Sequence, residues 1–184
     1  MAKKRVKVGK YKTVFKGVIF KIKQAKAVFP SGKITTFEQV ARPPTVTILA
    51  IDAKGRLLLT KEYRLKHRKY LWRLPSGRVE KNETPLQAAR RELQEEAGLK
   101  AKKLKLFHVR GSSQTLDWKL YCYIATDFTP APTKSDEDED IKIVPTSIKK
   151  AFKMVANGEI KKENMAYVIM KLHFSKKLNK NRPF

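Results

Sequence analysis

The sequence has little of what several kinds of site require. It contains one cysteine, three histidines and no apolar run of membrane-spanning length. One cysteine cannot close an intramolecular disulfide, so Cys122, in an apolar run, is predicted to be a buried structural thiol. His67, His108 and His173 do not have metal-ligand spacing with one another, and no Ser-His-Asp or Cys-His arrangement competes as a catalytic site. The basic N-terminus lacks the apolar segment and cleavage site of a secretory signal, so the cytoplasm is the expected compartment and no membrane partner is expected.

Acidic residues are also scarce. The 184 residues include 42 lysines and arginines but only 17 acidic residues, which gives a formal net charge of +25, and the first 37 residues contain no acid. Such a charge concentrates anions, including nucleotides, and favours nonspecific affinity for nucleic acid. The basic residues are spread over many predicted elements rather than focused on one helix. The charge alone therefore does not assign a nucleic-acid function.

One stretch, from Gly77 to Leu99, is predicted to be a loop that runs into a helix. Thr84 suits the N-cap, Pro85 the first helical position and Gln87 the third position of a capping box, while Gly98 suits a left-handed C-cap. The apolar residues recur at steps of three and four, which predicts one buried stripe. Its members are Leu86, Ala89, Leu93 and Ala97.

Three carboxylates gather near the C-terminal end of this helix, at Glu92, Glu95 and Glu96. Like charges at this spacing destabilise a helix, and they are most costly beside the negative end of its dipole. Mg²⁺ or Mn²⁺ removes that cost, because these hard cations bind carboxylate oxygens, water and phosphates. The alternative is a solvated acidic face without a ligand. The fixed loop upstream of the cluster favours a metal site.

The same stretch resembles the Nudix box, G-x5-E-x7-R-E-U-x-E-E-x-G-U with U aliphatic, and it matches at every specified position. In that family the loop and helix bind Mg²⁺ or Mn²⁺, and the enzymes hydrolyse nucleoside diphosphates linked to another group. The resemblance implies metal ligands at Glu92, Glu95 and Glu96. It also implies that Glu83 is a further carboxylate of the metal network. Arg91 would be a positioning residue that pairs with an acidic side chain of the box, and Gly77 would let the loop approach the metal closely.

The rest of the chain predicts an α+β fold. Residues 1–10 are expected to be loosely attached, and residues 11–40 form about three antiparallel strands that end before Pro43 and Pro44. A buried central strand follows at 45–51, then a hairpin turn at 52–55 and a returning strand at 56–63. Strands are also expected at 104–109, 118–128 and 141–144. Helices are expected from about 147 to 157, with Ile148, Ala151, Phe152 and Val155 inward, and from about 162 to 177, with Met165, Val168, Ile169 and Leu172 inward.

The flanking sequence resembles the ADP-ribose pyrophosphatase branch of the Nudix hydrolases over residues 12–175. The resemblance implies an α/β/α sandwich with a mixed sheet at 43–184, and an N-terminal β subdomain at 1–42 that is exchanged across a homodimer. It places Arg64 on the substrate phosphates and the backbone carbonyl of Ser76 on a metal ion. From the acidic run D-E-D-E-D it takes Glu137 as the catalytic base and Glu139 as an indirect metal contact, although either could be the base.

The predicted reaction is metal-dependent hydrolysis of the pyrophosphate of ADP-ribose or another nucleoside-diphosphate sugar. Arg73 stands where this branch usually has glutamate, and Arg110-Gly111 where it often has Pro-Gly, so the sugar and base stay open. Two alternatives remain. One is a Nudix hydrolase of RNA caps or nucleoside triphosphates, which the charge favours. The other is a noncatalytic module that binds nucleotide or RNA, which would not require the full set of carboxylates.

Overall fold

The structure, a computed structural model, describes residues 5–132 and 141–178. The described strands are β1 (Lys7–Val8), β2 (Lys12–Lys16), β3 (Lys21–Val28), β4 (Ile34–Ala41), β5 (Thr45–Ala50), β6 (Arg56–Arg64), β7 (Lys69–Arg73), β8 (Ser76–Arg78), β9 (Leu99–Arg110), β10 (Leu116–Asp117), β11 (Leu120–Pro130) and β12 (Ile141–Ser147). The described helices are α1 (Pro85–Ala97), α2 (Ile148–Ala156) and α3 (Glu163–Leu178), and a 3-10 turn covers Leu65–His67. None of these helices is long and apolar enough to cross a membrane. Mixed strands with few helices confirm the α+β prediction.

Contacts divide the chain into two units. The first comprises Met1–Pro44 and Arg110–Leu120, and the second comprises Thr45–Val109 and Tyr121–Phe184. In the first unit, β3 pairs antiparallel with β1, β2 and β4, while β4 pairs in parallel with β10. An ion pair of 2.8 Å between Lys23 Nζ of β3 and Asp117 Oδ2 of β10 also joins the segment Arg110–Leu120 to this sheet. The first unit therefore takes in residues from far along the chain.

The second unit contains two sheets. One has the strand order β8-β5-β11-β9, and the other has the order β12-β6-β7 with antiparallel pairing throughout. All six residues of β5 are buried, as a central strand predicts. Alternate residues of β5 face two different hydrophobic clusters: Leu49 packs with residues of α2 and α3, whereas Val46, Ile48 and Ala50 pack with residues of α1. The sheet thus lies between helices on its two faces, which is the predicted sandwich.

Most predicted elements are present. Met165, Val168, Ile169 and Leu172 of α3 are all buried as expected. Ser147 caps α2 through a hydrogen bond from the backbone N–H of Lys150. Cys122 is buried, and burial raises the pKa of its thiol to about 12, which fits the predicted structural role.

Four details differ from the predictions. Lys7 and Val8 form a strand with β3 rather than a loose tail. The turn at Asp52–Gly55 exists, with Gly55 at φ +73°, but β5 and β6 belong to different sheets instead of forming one hairpin. β7 and β8 were not anticipated. Leu86 is exposed, because it lies in the first turn of α1, and Ala88 takes its place in the buried stripe.

Candidate active site

Both ends of α1 are fixed by the local chemistry that the sequence predicted. The backbone N–H of Thr84 donates to Gln87 Oε1 at 2.8 Å, and the backbone N–H of Gln87 donates to Thr84 Oγ1 at 3.3 Å. Gly98 ends the helix at φ +60°, a left-handed conformation that favours glycine. Ala88, Ala89 and Leu93 anchor the inner face in the core. The acidic residues of the last turns are therefore held at defined positions.

The guanidinium of Arg91 joins the loop to the helix. It forms a bidentate pair with Glu83, with Nε–Oε1 and Nη2–Oε2 distances of 3.0 Å. Its Nη1 donates to Glu92 Oε1 at 2.8 Å and to Glu95 Oε2 at 2.9 Å, and its Nη2 donates to the carbonyl oxygen of Arg78 at 3.0 Å. One fork-shaped cation thus positions three carboxylates and one turn of the loop.

These contacts have opposite effects on neighbouring carboxylates. The hydrogen bonds that Arg91 donates to Glu83 lower the pKa of Glu83, and the same hydrogen bonds are the largest cause that raises the pKa of Arg91. In contrast, the pKa of Glu92 is raised, chiefly by burial and further by the charges of Glu95 and Glu83, against the lowering effect of Arg91. The charged form of Glu92 is therefore the costly one, and a second cation near it would lower that cost.

The strand before the box approaches the helix closely. β8 pairs with β5, which is buried, and the backbone N–H of Ser76 donates to Glu96 Oε2 at 2.8 Å. At Gly77 an added Cβ would lie 1.9 Å from Glu92 Oε1. Only glycine leaves room for the carboxylate, so the sequence requirement at residue 77 has a direct steric cause.

The structure brings together Ser76, Gly77, Glu83, Arg91, Glu92, Glu95 and Glu96, the residues to which the resemblance assigns roles around the box. In residues 5–132 and 141–178, no three His, Cys, Asp or Glu side chains are arranged as ligands of one metal ion. The donor chemistry nevertheless fits a hard divalent cation, because three carboxylates share one guanidinium and the carboxylate of Glu92 is largely buried. Glu137 and Glu139 lie outside the described residues.

Arg64 lies at the end of β6, where its guanidinium forms an ion pair with Glu62. Glu62 is almost fully buried, and the hydroxyl of Thr60 donates to its Oε1 at 2.9 Å. Arg73 lies on β7, opposite Thr60 of β6; burial and the charge of Arg64 lower its pKa, while Glu62 and Glu96 act in the opposite direction. The sequence marked Arg73 only as a departure from a family pattern.

Lys162, between α2 and α3, responds to the same charges. The lowering of its pKa is caused first by burial and then by Arg73 and Arg64, against Glu62 and Glu96. Lys162 as a whole residue is exposed. No sequence signal separated Lys162 from the other basic residues.

The fold and the loop-helix site together indicate the protein family to which this chain belongs. A family model for the NUDIX domain matches residues 41–162, and the chain belongs to that family. It is 29% identical over 168 residues to an ADP-ribose pyrophosphatase of Bacillus subtilis (strain 168), covering 90% of this chain and 91% of the relative. It is 31% identical over 152 residues to an ADP-ribose pyrophosphatase of Mycobacterium tuberculosis, covering 80% and 73%. A crystal structure of an ADP compounds hydrolase superposes with a TM-score of 0.80 at 20% identity, covering 99% of this chain and 100% of that one, and shows the shared fold.

Proposed function

We propose that this protein is a pyrophosphohydrolase that cleaves ADP-ribose or another nucleoside-diphosphate sugar into a nucleoside monophosphate and a sugar phosphate. The observation that carries the proposal is the junction of α1 and β8, where Arg91, Gly77 and Ser76 hold the acidic residues of a complete Nudix box together. The names of the two ADP-ribose pyrophosphatase relatives support the choice of substrate class. Members of this family generally depend on divalent metals.

Mg²⁺ or Mn²⁺ is the proposed ion. Glu92, Glu95, Glu96 and the carbonyl oxygen of Ser76 would hold it, in exchange for some of the contacts that Arg91 and Ser76 now make. When bound, the ion would supply positive charge to the diphosphate oxygens and lower the pKa of a bound water. Arg91 and Glu83 keep the helix and loop in register during this exchange.

The remaining roles fall to other residues of the chain. Arg64 would hold the substrate phosphates, since its side chain is about half exposed beside Glu62. Glu137 would take a proton from the water that attacks one phosphorus, while the bond from that phosphorus to the bridging oxygen breaks. Glu139 would act through the metal site or replace Glu137 as the base. General bases of this kind typically contribute about 10²–10⁴-fold to the rate.

A homodimer is the proposed assembly. Strands β2–β4 and the turn between β2 and β3 expose large apolar side chains, including Phe15 at 61% and Ile34 at 63%. A monomer gains nothing from exposing several such side chains in one small sheet, and a second copy would bury them. Light scattering after size exclusion tests this assembly, with a mass near 21.2 kDa counting against the dimer. The cytoplasm remains the proposed compartment, and nonspecific affinity for nucleic acid is proposed from the net charge alone.

The function is tested by following phosphate release from a panel of substrates with Mg²⁺ or Mn²⁺. The panel contains ADP-ribose, GDP-mannose, UDP-glucose, an oxidised nucleoside triphosphate and capped RNA, with a phosphatase to convert products to phosphate. Turnover of a diphosphate sugar supports the proposal and ranks the sugars and bases. Turnover of only triphosphates or capped RNA would replace it with the alternative that the charge favours. Binding without any turnover would indicate a noncatalytic module.

Three variants and one control assign the roles. Glu96→Gln should abolish most turnover at saturating Mg²⁺, while Glu80→Gln, an exposed loop residue, should leave it unchanged. Glu137→Gln should lower turnover without changing the unfolding midpoint. If Glu137→Gln turns over normally and Glu139→Gln does not, the base is Glu139.

A further inference from the structure

One end of the sheet in the first unit carries a row of aromatic and basic side chains. The strands β3, β4 and β10 are in register across Lys21, Ala41 and Asp117. One residue beyond this line on each strand stand Phe20, Arg42 and Trp118. The guanidinium carbon of Arg42 lies 5.7 Å from the ring centroid of Phe20 and 4.9 Å from that of Trp118. Strand register therefore places these three side chains together.

Arg110 joins the same row. Its guanidinium carbon also lies 4.9 Å from the ring centroid of Trp118. Attraction to an aromatic ring holds a cation in place but does not neutralise its charge. Two positive charges are thus fixed around one indole. Phe20, Arg42, Arg110 and Trp118 together form what we call the indole row.

Arg110 also has an unused hydrogen-bond donor. Its Nη1 is shielded from solvent and has no partner among the residues that the structure describes. Arg110 forms no ion pair within residues 5–132 and 141–178. Native structures contain few unsatisfied buried donors, because each one is destabilising. Since Arg110 as a residue is only partly buried, a small shift of its guanidinium would bring this donor to a ligand at the surface.

Both acidic residues of the first unit are engaged by other side chains. Asp117 accepts hydrogen bonds from Lys23 Nζ at 2.8 Å and from Ser112 Oγ at 3.1 Å. Glu38 accepts one from Gln24 Nε2 at 2.6 Å. Their carboxylates therefore leave most of the positive charge of this unit uncompensated.

The first unit as a whole is strongly basic. Its residues, 1–44 and 110–120, include fourteen lysines and arginines but only two acidic residues. Even if all five acidic residues at 136–140 are set against them, seven basic residues remain in excess. Lys21 and Lys119 are exposed next to the indole row. A charge spread over a whole unit fits a polyanion better than one small anion.

We infer that this end of the sheet, formed by the indole row with its flanking lysines, is a binding surface for single-stranded nucleic acid. Unpaired bases stack on aromatic rings and on the guanidinium planes of arginines, while lysines contact the phosphates along the strand. A duplex keeps its base faces covered and cannot use such a row. Phe15 and Ile34, which the proposed dimer buries, are not part of this surface. The inference goes beyond the proposed hydrolysis and does not depend on it.

Fluorescence anisotropy with a fluorescein-labelled oligouridylate of about 20 nucleotides tests the surface. EDTA in the buffer prevents metal-dependent hydrolysis of the probe. The wild-type protein should bind it, with an affinity that falls as salt rises, and Arg110→Gln and Trp118→Leu should each weaken binding by about tenfold. No binding at low salt, or wild-type affinity in Arg110→Gln, would overturn the inference.

Lys33→Gln is the matched control. It removes one charge from an exposed residue of the same unit, in the turn between β3 and β4 at the other end of these strands. It should weaken binding much less than Arg110→Gln does. Equal weakening by the two variants would mean that only net charge matters, which would overturn the inference. Arg110→Lys keeps the charge without the planar fork and should recover only part of the affinity.

The emission of Trp118 gives a local readout that does not require removing a member of the row. The chain has two tryptophans, so Trp72→Phe leaves Trp118 as the only one. Oligouridylate should quench this emission, and duplex RNA of the same length should quench it much less. Equal quenching by the duplex would overturn the stacking role.

Two further results would assign the surface to another occupant. Quenching by AMP at the same nucleotide concentration, as strong as that by oligouridylate, would indicate a mononucleotide pocket. A change in Trp118 emission with protein concentration alone would indicate that a second copy covers the row. Either result would overturn the inference. The unfolding midpoint shows whether each variant is folded, and if Trp118→Leu is not, the comparison of Arg110→Gln with Lys33→Gln decides.

Discussion

The carboxylate of Glu92 rests against the Cα of Gly77, in the space that a side chain at residue 77 would occupy. Gly77→Ala should therefore displace Glu92 and destabilise the protein by about 1–3 kcal/mol, the usual range for overpacking. Turnover should fall as well, because Glu92 is a proposed metal ligand. Urea unfolding and substrate hydrolysis measure the two effects.

Gly111→Ala is the control for that substitution, since a Cβ there meets no atom within 4 Å. It should change the unfolding free energy little. If Gly77→Ala proves equally harmless, Glu92 moves away at little cost, and the close approach has no role in holding it.

Arg91→Lys should keep one positive charge but lose the fork that spans Glu83, Glu92 and Glu95. Hydrogen bonds to charged groups contribute about 1.5–3 kcal/mol, so a loss of unfolding free energy within that range is expected without metal. Mg²⁺ should raise the melting temperature more in this variant than in wild type, because a lysine cannot hydrogen-bond all three carboxylates at once as the guanidinium does. Arg90→Lys, which loses one hydrogen bond to the carbonyl of Ala101, should cost less. A larger effect at residue 90 than at residue 91 would contradict the assigned role.

Thr84→Ala should remove one half of the capping box. Loss of an N-cap typically costs about 0.5–2 kcal/mol, which chemical denaturation can resolve. Thr84→Ser keeps the hydroxyl and should retain most of the stability. Equal losses in the two variants would mean that the methyl group of Thr84, and not its cap, is what matters.

His108 gives an expected pH dependence. Its Nδ1 lies 3.1 Å from the Nζ of Lys171, and burial together with that charge lowers its pKa from the ordinary value of 6.5. The unfolded chain therefore binds a proton at a higher pH than the folded protein does. The contribution of His108 to the free energy of unfolding is fully present above pH 6.5. It is lost as the pH falls from 6.5 toward the lowered pKa of His108 in the folded protein.

Urea midpoints measured between about pH 7.5 and pH 5 should show this loss in wild type, since histidine titrates in this range. His108→Asn should reduce the loss, while His67→Asn, at an exposed residue, should leave it in place. An unchanged pH profile in His108→Asn would assign the dependence to other groups.

Local chemistry made α1 predictable. The cap, the proline, the capping box and the final glycine all act within a few residues, so the helix boundaries and the acidic cluster followed from spacing. Leu86 was assigned wrongly, because periodicity does not show that the first turn lies beyond the core.

Partners distant in sequence were not predictable. The turn at Asp52–Gly55 specifies that the chain reverses, but not that β6 pairs with β7 and β12 instead of β5. The parallel pairing of β10 with β4 joins residues 76 positions apart, and no local pattern encodes it.

The two fixed ends of α1 restrict changes of chain length. One residue added between Thr84 and Glu92 would turn the carboxylates that follow by about 100° around the helix axis, away from Ser76 and Gly77. A deletion would turn them by the same angle in the other direction. Insertions and deletions should therefore be tolerated in surface connections such as 65–68, whereas the segment from the cap to the final glycine should accept only substitutions.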